Sequence, residues 1–265
     1  LIYPLEEHLD GLGIDTLIFC MDAGLRQIPL AALHDGERFL IEKYSLGSIP
    51  SFSLTNTSYQ AIQETRMLAM GASDFQPKHN LNSLPSVPEE LATVTQLWQG
   101  KEDFFLNEAF TLENLERQTE SQPLGIVHLA THADFKGAGS RNSFIQLWDA
   151  TLSLEGLRAL NWYQKSPQIE LLTLSACNTA LGDREAELGF GGLATQAGVK
   201  SAVASLWYVD DEATLALMSA FYDRLGNPDI PIKAEALRQA QLSMLQGELA
   251  HPYYWAGFTT VCSPW

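Results

Sequence analysis

The chain has 265 residues, 16 basic against 32 acidic side chains, and a formal charge of -16. A composition 46% hydrophobic and only 18% charged excludes a disordered or acidic-tail protein. The acid excess excludes duplex DNA or an anionic membrane as the main partner, because phosphate binding needs a basic surface. Three cysteines, Cys20, Cys177 and Cys262, have no C-x-x-C spacing. That argues against a disulfide framework or a zinc ribbon and for a reducing, cytoplasmic compartment. No apolar run approaches the ~20 residues of a membrane span. The start, Leu1-Ile2-Tyr3-Pro4, lacks both Met and the parts of a signal peptide, which predicts a domain cut from a longer chain or a processed product.

Short apolar runs recur in chain order, each followed by a helical stretch. The runs are Thr16–Cys20, Met67–Met70, Ile126–Ala130, Ile169–Leu174 and Ser201–Ser205. Runs this short and this apolar read as buried strands of a parallel sheet covered on both faces. Helices are predicted near 88–99, 111–119, 188–197, 211–225 and 231–247. Pro88 with Glu89 and Glu90, Thr111, and Asp210-Asp211-Glu212 supply starts for three of them. The alternation predicts a doubly wound α/β sheet. Residues 36–55 read as a hairpin-rich β segment, 71–87 as a long Pro/Gly/Asn loop, and 143–154 as a second hairpin. A boundary near residue 63 separates an N-terminal β-rich lobe, 1–63, from a larger body, 64–265.

In open α/β sheets functional groups gather beyond the carboxyl ends of strands. Two strands end in reactive residues, one at His132 and the other at Cys177. If the strands are neighbours, the imidazole can take the thiol proton, and a backbone N–H beside Cys177 can hold an oxyanion. The plainer alternative makes Cys177 a small buried hydrophobe. His128 and His132 share strand parity, but no third ligand accompanies them and H-E-x-x-H is absent, so His128 is a core histidine and no metal is expected. Asn178 and Thr179 read as turn formers. The loop Gly182–Gly192 reads as a mobile element beside the site; it is no phosphate loop, since no Lys-Ser/Thr follows its glycines. Trp148, Trp162, Trp207 and Trp255 read as packing residues, as do Cys20 and Cys262.

Five ordered blocks carry a family resemblance: "DTLIFCMDAGLRQIPLAALHDGERFLIEKYSLGSIPS", "IVHLATHADF", "IELLTLSACNTALGD", "GGLATQAGVKSAVASLWYVDDEAT" and "HPYYWAGF". Together they resemble a CHAT domain, a caspase-like relative of separase found in bacteria behind TPR repeats. The resemblance implies a caspase-like three-layer sandwich, with a mostly parallel central sheet and helices on both faces. It implies a cysteine endopeptidase that needs no cofactor, with Cys177 as nucleophile and His132 as acid/base. It also implies backbone N–H groups of Ala133 and Cys177 at the oxyanion. By similarity to separase, Asp211 with its neighbour Asp210 lines a pocket for a basic substrate residue; both also fit helix N-terminal acids. The implied partners are a protein or peptide substrate and upstream TPR repeats or another region of the full-length chain. Ser-Ala-Cys-Asn-Thr departs from the caspase Gln-Ala-Cys-x-Gly, so aspartate specificity is not inherited. The alternative is a non-catalytic interaction or signalling module coupled to TPR repeats.

Overall fold

The computed structural model describes residues 2–22, 25, 28–75, 81–99, 103–135, 143–179 and 197–265, with the backbone alone at 54, 135 and 176–179. The strands are β1 (Thr16–Phe19), β2 (Ser45–Ser48), β3 (Met67–Gly71), β4 (Phe105–Leu106), β5 (Ile126–Phe135), β6 (Phe144–Gln146), β7 (Thr151–Ser153), β8 (Leu171–Thr179), β9 (Ser201–Ser205) and β10 (Phe258–Cys262). The helices are α1 (Glu6–Gly11), α2 (Leu40–Lys43), α3 (Val87–Gln99), α4 (Leu112–Ser121), α5 (Leu154–Ala159), α6 (Asp211–Leu225) and α7 (Lys233–Leu245).

These strands form one sheet in the order β1-β2-β10-β9-β8-β5-β3-β4, with the β6–β7 hairpin attached to β5. From β9 to β4 the strands are parallel; β10 is antiparallel to β9 and parallel to β2. The boundary near residue 63 therefore falls between two strands of the same sheet. β3 and β9 are buried at every position, as strands covered on both faces must be. One face packs on α3, α6 and α7 through Leu91, Val94, Leu217, Phe221, Leu237 and Ala240. The other packs against Phe110, Leu115, Leu152, Leu157 and Trp162, from α4, α5 and the segments around them.

Helix starts follow their capping residues. The Thr111 side chain accepts the Asn114 amide at 3.2 Å, and that of Asp210 accepts the Ala213 amide at 3.1 Å. A buried ionic cluster ties down the far end of the sheet. Buried Glu170 meets Lys200 at 3.1 Å and Lys233 at 3.3 Å. Lys233 also donates to the Trp265 carbonyl, and the Ser263 amide donates to the Lys200 carbonyl at 3.1 Å.

The segment 36–55 is not a hairpin. Leu40–Lys43 forms one helical turn, and β2 pairs in parallel with β1. The Glu42 carboxylate accepts the Phe39 amide, while Arg238 of α7 donates to the Ile41 and Glu42 carbonyls, both at 2.8 Å. This capping from a distant helix leaves no local trace in sequence. The 143–154 hairpin forms as β6–β7, with Ile145 opposite Leu152. Cys262 is buried, but Cys20 is exposed just past β1. Trp162 and Trp255 are fully buried, and Trp148 and Trp207 pack at the core margin. Of the predicted helix 188–197, all but residue 197 lies outside the described residues, as does the loop 182–192.

Candidate active site

Alternation along β5 decides which residues can meet. Ile126 and Ala130 join the core beneath α3, α6 and α7, whereas Val127, Leu129 and Ala133 join the opposite core. His128 shares parity with the first set and lies on the α3/α6 face, where Glu90 of α3 and Tyr222 of α6 meet it; His132 reaches the same side, where Asp211 of α6 acts on it. One bulge interrupts the β5–β8 ladder. Leu129 pairs with Leu174 and His132 with Ala176, so Ala130 and Thr131 together oppose Ser175. The Thr131 hydroxyl donates to the Gln146 carbonyl at 2.7 Å, securing β6 beside the bulge. Beyond it Ala133 pairs with Cys177, so the Cys177 backbone stands one position past His132 on the adjacent strand. The Cys177 side chain lies outside the described residues. Asn178 and Thr179 do not form a turn: they continue β8, opposite Asp134 and Phe135.

His132 is half-buried, between strand ends. Its Nε2 lies 2.8 Å from the Asn82 carbonyl. A carbonyl only accepts, so Nε2 carries the hydrogen and neutral His132 keeps an unprotonated Nδ1. Phe75, after β3, packs at 4.9 Å between ring centroids; Tyr208, after β9, stacks at 6.0 Å and 18°. Burial lowers the His132 pKa below its ordinary 6.5, against the opposing pull of the Asn82 carbonyl and the Asp211 carboxylate. The result is an imidazole held neutral, in one tautomer, at neutral pH.

Tyr208 is itself fixed. The Tyr253 hydroxyl donates to its carbonyl at 2.9 Å, and the Trp207 indole donates to the Tyr253 carbonyl at 3.0 Å. Burial and the nearby Asp211 and Asp210 charges raise the Tyr208 pKa, so the phenol stays neutral.

The two aspartates have different surroundings. Asp210 is exposed and caps α6. Asp211 is half-buried, accepts the Ser86 amide at 2.6 Å, and acts electrostatically on His132. Ala133 is buried and paired on both sides, with Cys177 and with Ile145. Sequence reasoning alone does not find Asn82, Phe75, Ser86 or Tyr208. Only Tyr208 carries a signal, lying inside the SLWYVDD block. Among the described residues, no group of three His, Cys, Asp or Glu side chains could hold a metal ion, and no helix is long and apolar enough to cross a membrane.

The sequence matches the family described as CHAT domain over residues 1–263. No curated protein sequence matches it. Among solved structures, the chain is similar to the complex of the Porphyromonas gingivalis RgpB pro- and mature domains, at 9% identity and TM-score 0.61, covering 99% of this chain and 68% of that one. It is similar to the Arg specific cysteine proteinase gingipain R at 11% identity and TM-score 0.56, covering 92% and 59%. It is also similar to the separase of the Saccharomyces cerevisiae separase–securin complex at 14% identity and TM-score 0.60, covering 98% and 17%. The chain thus spans about two thirds or less of the gingipain chains and under a fifth of the separase chain. At these identities the likeness shows the fold, a caspase-like α/β sandwich.

Proposed function

Because the chain belongs to the CHAT domain family, we propose that it is a cysteine endopeptidase using Cys177 and His132. One observation carries this reading. His132 is held with Nε2–H on the Asn82 carbonyl and Nδ1 unprotonated, on the strand that pairs directly with the one carrying Cys177. In the proposed reaction the Cys177 thiol gives its proton to His132 Nδ1, and the thiolate sulfur attacks the scissile carbonyl carbon. The imidazolium returns the proton to the leaving amine as the C–N bond breaks. Water, deprotonated by the same imidazole, then hydrolyses the thioester. The side-by-side Ala133 and Cys177 backbones support an oxyanion site there.

The proposed substrate carries a basic residue before the cut. Asp211 supports this, as a half-buried carboxylate close enough to act on His132. The similar gingipain R is Arg specific by name. The exposed, free Cys20 supports a reducing, cytoplasmic setting. Screening a peptide library with the full-length protein tests the reading. Cleavage after Arg or Lys is expected and should vanish in Cys177→Ala and in His132→Ala. No cleavage by the wild type, with Cys177 alkylated no faster than Cys20, would sink it.

A second reading, a docking module, is favoured by Tyr3 (85% exposed), Leu5 (55%) and Leu12 (66%) near the start of the chain. The proposed partner is an upstream region such as TPR repeats. Loss of association with that region in a Tyr3→Ser, Leu12→Ser double variant is the expected result.

A further inference from the structure

Beneath the site, a second histidine of β5 is part of a fully buried polar chain. His128 Nε2 lies 2.9 Å from Glu90 Oε1 on α3, and His128 Nδ1 lies 3.1 Å from the Tyr222 hydroxyl on α6. That hydroxyl donates to Thr173 of β8 at 2.9 Å. Since the Tyr222 proton is committed to Thr173, its oxygen accepts from His128 Nδ1–H. Both ring nitrogens of His128 thus have a buried partner, one on α3 and one on α6. Leaving either partner alone in this core would cost the desolvation of a charged or polar group.

The geometry sets this chain directly below His132. The bulge lies between the two histidines, and their partners on β8, Thr173 and Ala176, are three residues or about 10 Å apart. On the facing segment, Glu90 lies one turn above Ser86, whose carbonyl accepts the Glu90 amide at 2.8 Å. Asn82 lies four residues before Ser86. β5 and the approach to α3 are therefore joined by two rungs: buried His128–Glu90 below, and His132–Asn82 above. Leu84–Ser73 and Ser86–Asp211 brace the segment between them, at 2.8 and 2.6 Å.

We propose that Glu90 and His128 are positioning residues: the lower rung fixes the start of α3 relative to β5 and so holds the Asn82 carbonyl where it selects the His132 tautomer. The functional meaning rests on His132 acting as the acid/base, but the positioning itself is measured without any substrate.

The test is imidazole nitrogen NMR on the full-length protein, following His132 across pH. In wild type His132 shows the Nε2–H tautomer. In Glu90→Met, which keeps bulk but removes the rung, His132 is expected to become a mixture of tautomers with a shifted titration. Alkylation of Cys177 should slow by about tenfold, as misplaced catalytic groups do. Glu90→Gln, which can still bond His128, is expected to restore the wild-type tautomer. A folded Glu90→Met with an unchanged His132 tautomer and titration would overturn the proposal, even if its melting temperature falls. If Glu90→Met does not fold, Tyr222→Phe removes only the hydroxyl that anchors Nδ1 and is read the same way. Failure of wild-type cleavage would remove the proposed function and leave the tautomer result standing.

Discussion

The Asp211 carboxylate accepts the Ser86 amide at 2.6 Å, which ties the first residue of α6 to the residue just ahead of α3. The same carboxylate acts on His132. One acid thus closes the frame of the site while supplying its negative charge.

The two roles separate by substitution. Asp211→Asn keeps an oxygen for Ser86 but removes the charge. Its stability is expected to stay near wild type while kcat/KM for Arg and Lys peptides drops by about tenfold or more against neutral ones. Asp211→Ala also leaves the Ser86 amide unpaired, and should lose about 1–3 kcal/mol in urea unfolding.

The His132 titration follows from its surroundings. Burial disfavours the imidazolium, so the folded pKa lies below 6.5 and the neutral base persists to lower pH than in a free imidazole. The acid limb of Cys177 alkylation is expected below 6.5. Tyr208→Ala readmits water to the ring and should move that limb upward. As pH falls below 6.5 the unfolded chain takes up this proton first, so stability declines with acidity in that range. An acid limb above 6.5 would contradict the assignment.

Lys233 predicts a slope in the alkaline range. Burial, aided by Lys200 and opposed by Glu170, holds its pKa down to about 8 from the ordinary 10.5. Between those values the folded chain has released a proton that the unfolded chain retains. Stability should therefore rise with pH across the window, by about 3 kcal/mol in all. Tyr222 acts the other way above 10: burial raises its pKa, so the unfolded chain ionises first and stability declines. Melting temperatures between pH 7.5 and 9.5 isolate the lysine, and Lys233→Met should flatten that slope.

Gly198 tests the backbone. Its φ is +77°, and an added Cβ would come within 2.4 Å of the Tyr163 backbone. Gly198→Ala is expected to cost about 2–4 kcal/mol. Gly11 ends α1, and nothing lies within 4 Å of the point a Cβ would occupy there. Gly11→Ala should gain a few tenths to about 1 kcal/mol. Urea midpoints compare the two.

Much of the fold is legible in the chain because buried parallel strands announce themselves as short apolar runs. β3, β5, β8 and β9 are readable this way, as are the capped starts of α4 and α6. His132 and Cys177 stand out as polar residues ending such runs. Segment 36–55 misleads because α2 depends on Arg238, almost two hundred residues away, for its capping. Asn82 contributes a main-chain carbonyl, which no side-chain pattern can reveal. Glu90 reads locally as a first-turn helix acid, and only the tertiary fold puts His128 against it.

The position of β10 bears on the order of folding during synthesis. β2, and through it β1, joins the sheet by pairing with β10, as Ser48 beside Val261. The block β3-β4-β5-β8-β9 can assemble once residues to 205 have been made. β1 and β2 leave the ribosome before the rest of this sheet and must wait for residues 258–262 before they can join it, a late and sequence-distant closure that is slow by nature. Chains stalled before residue 258 should therefore present residues 1–63 to proteases while the block behind them is already protected.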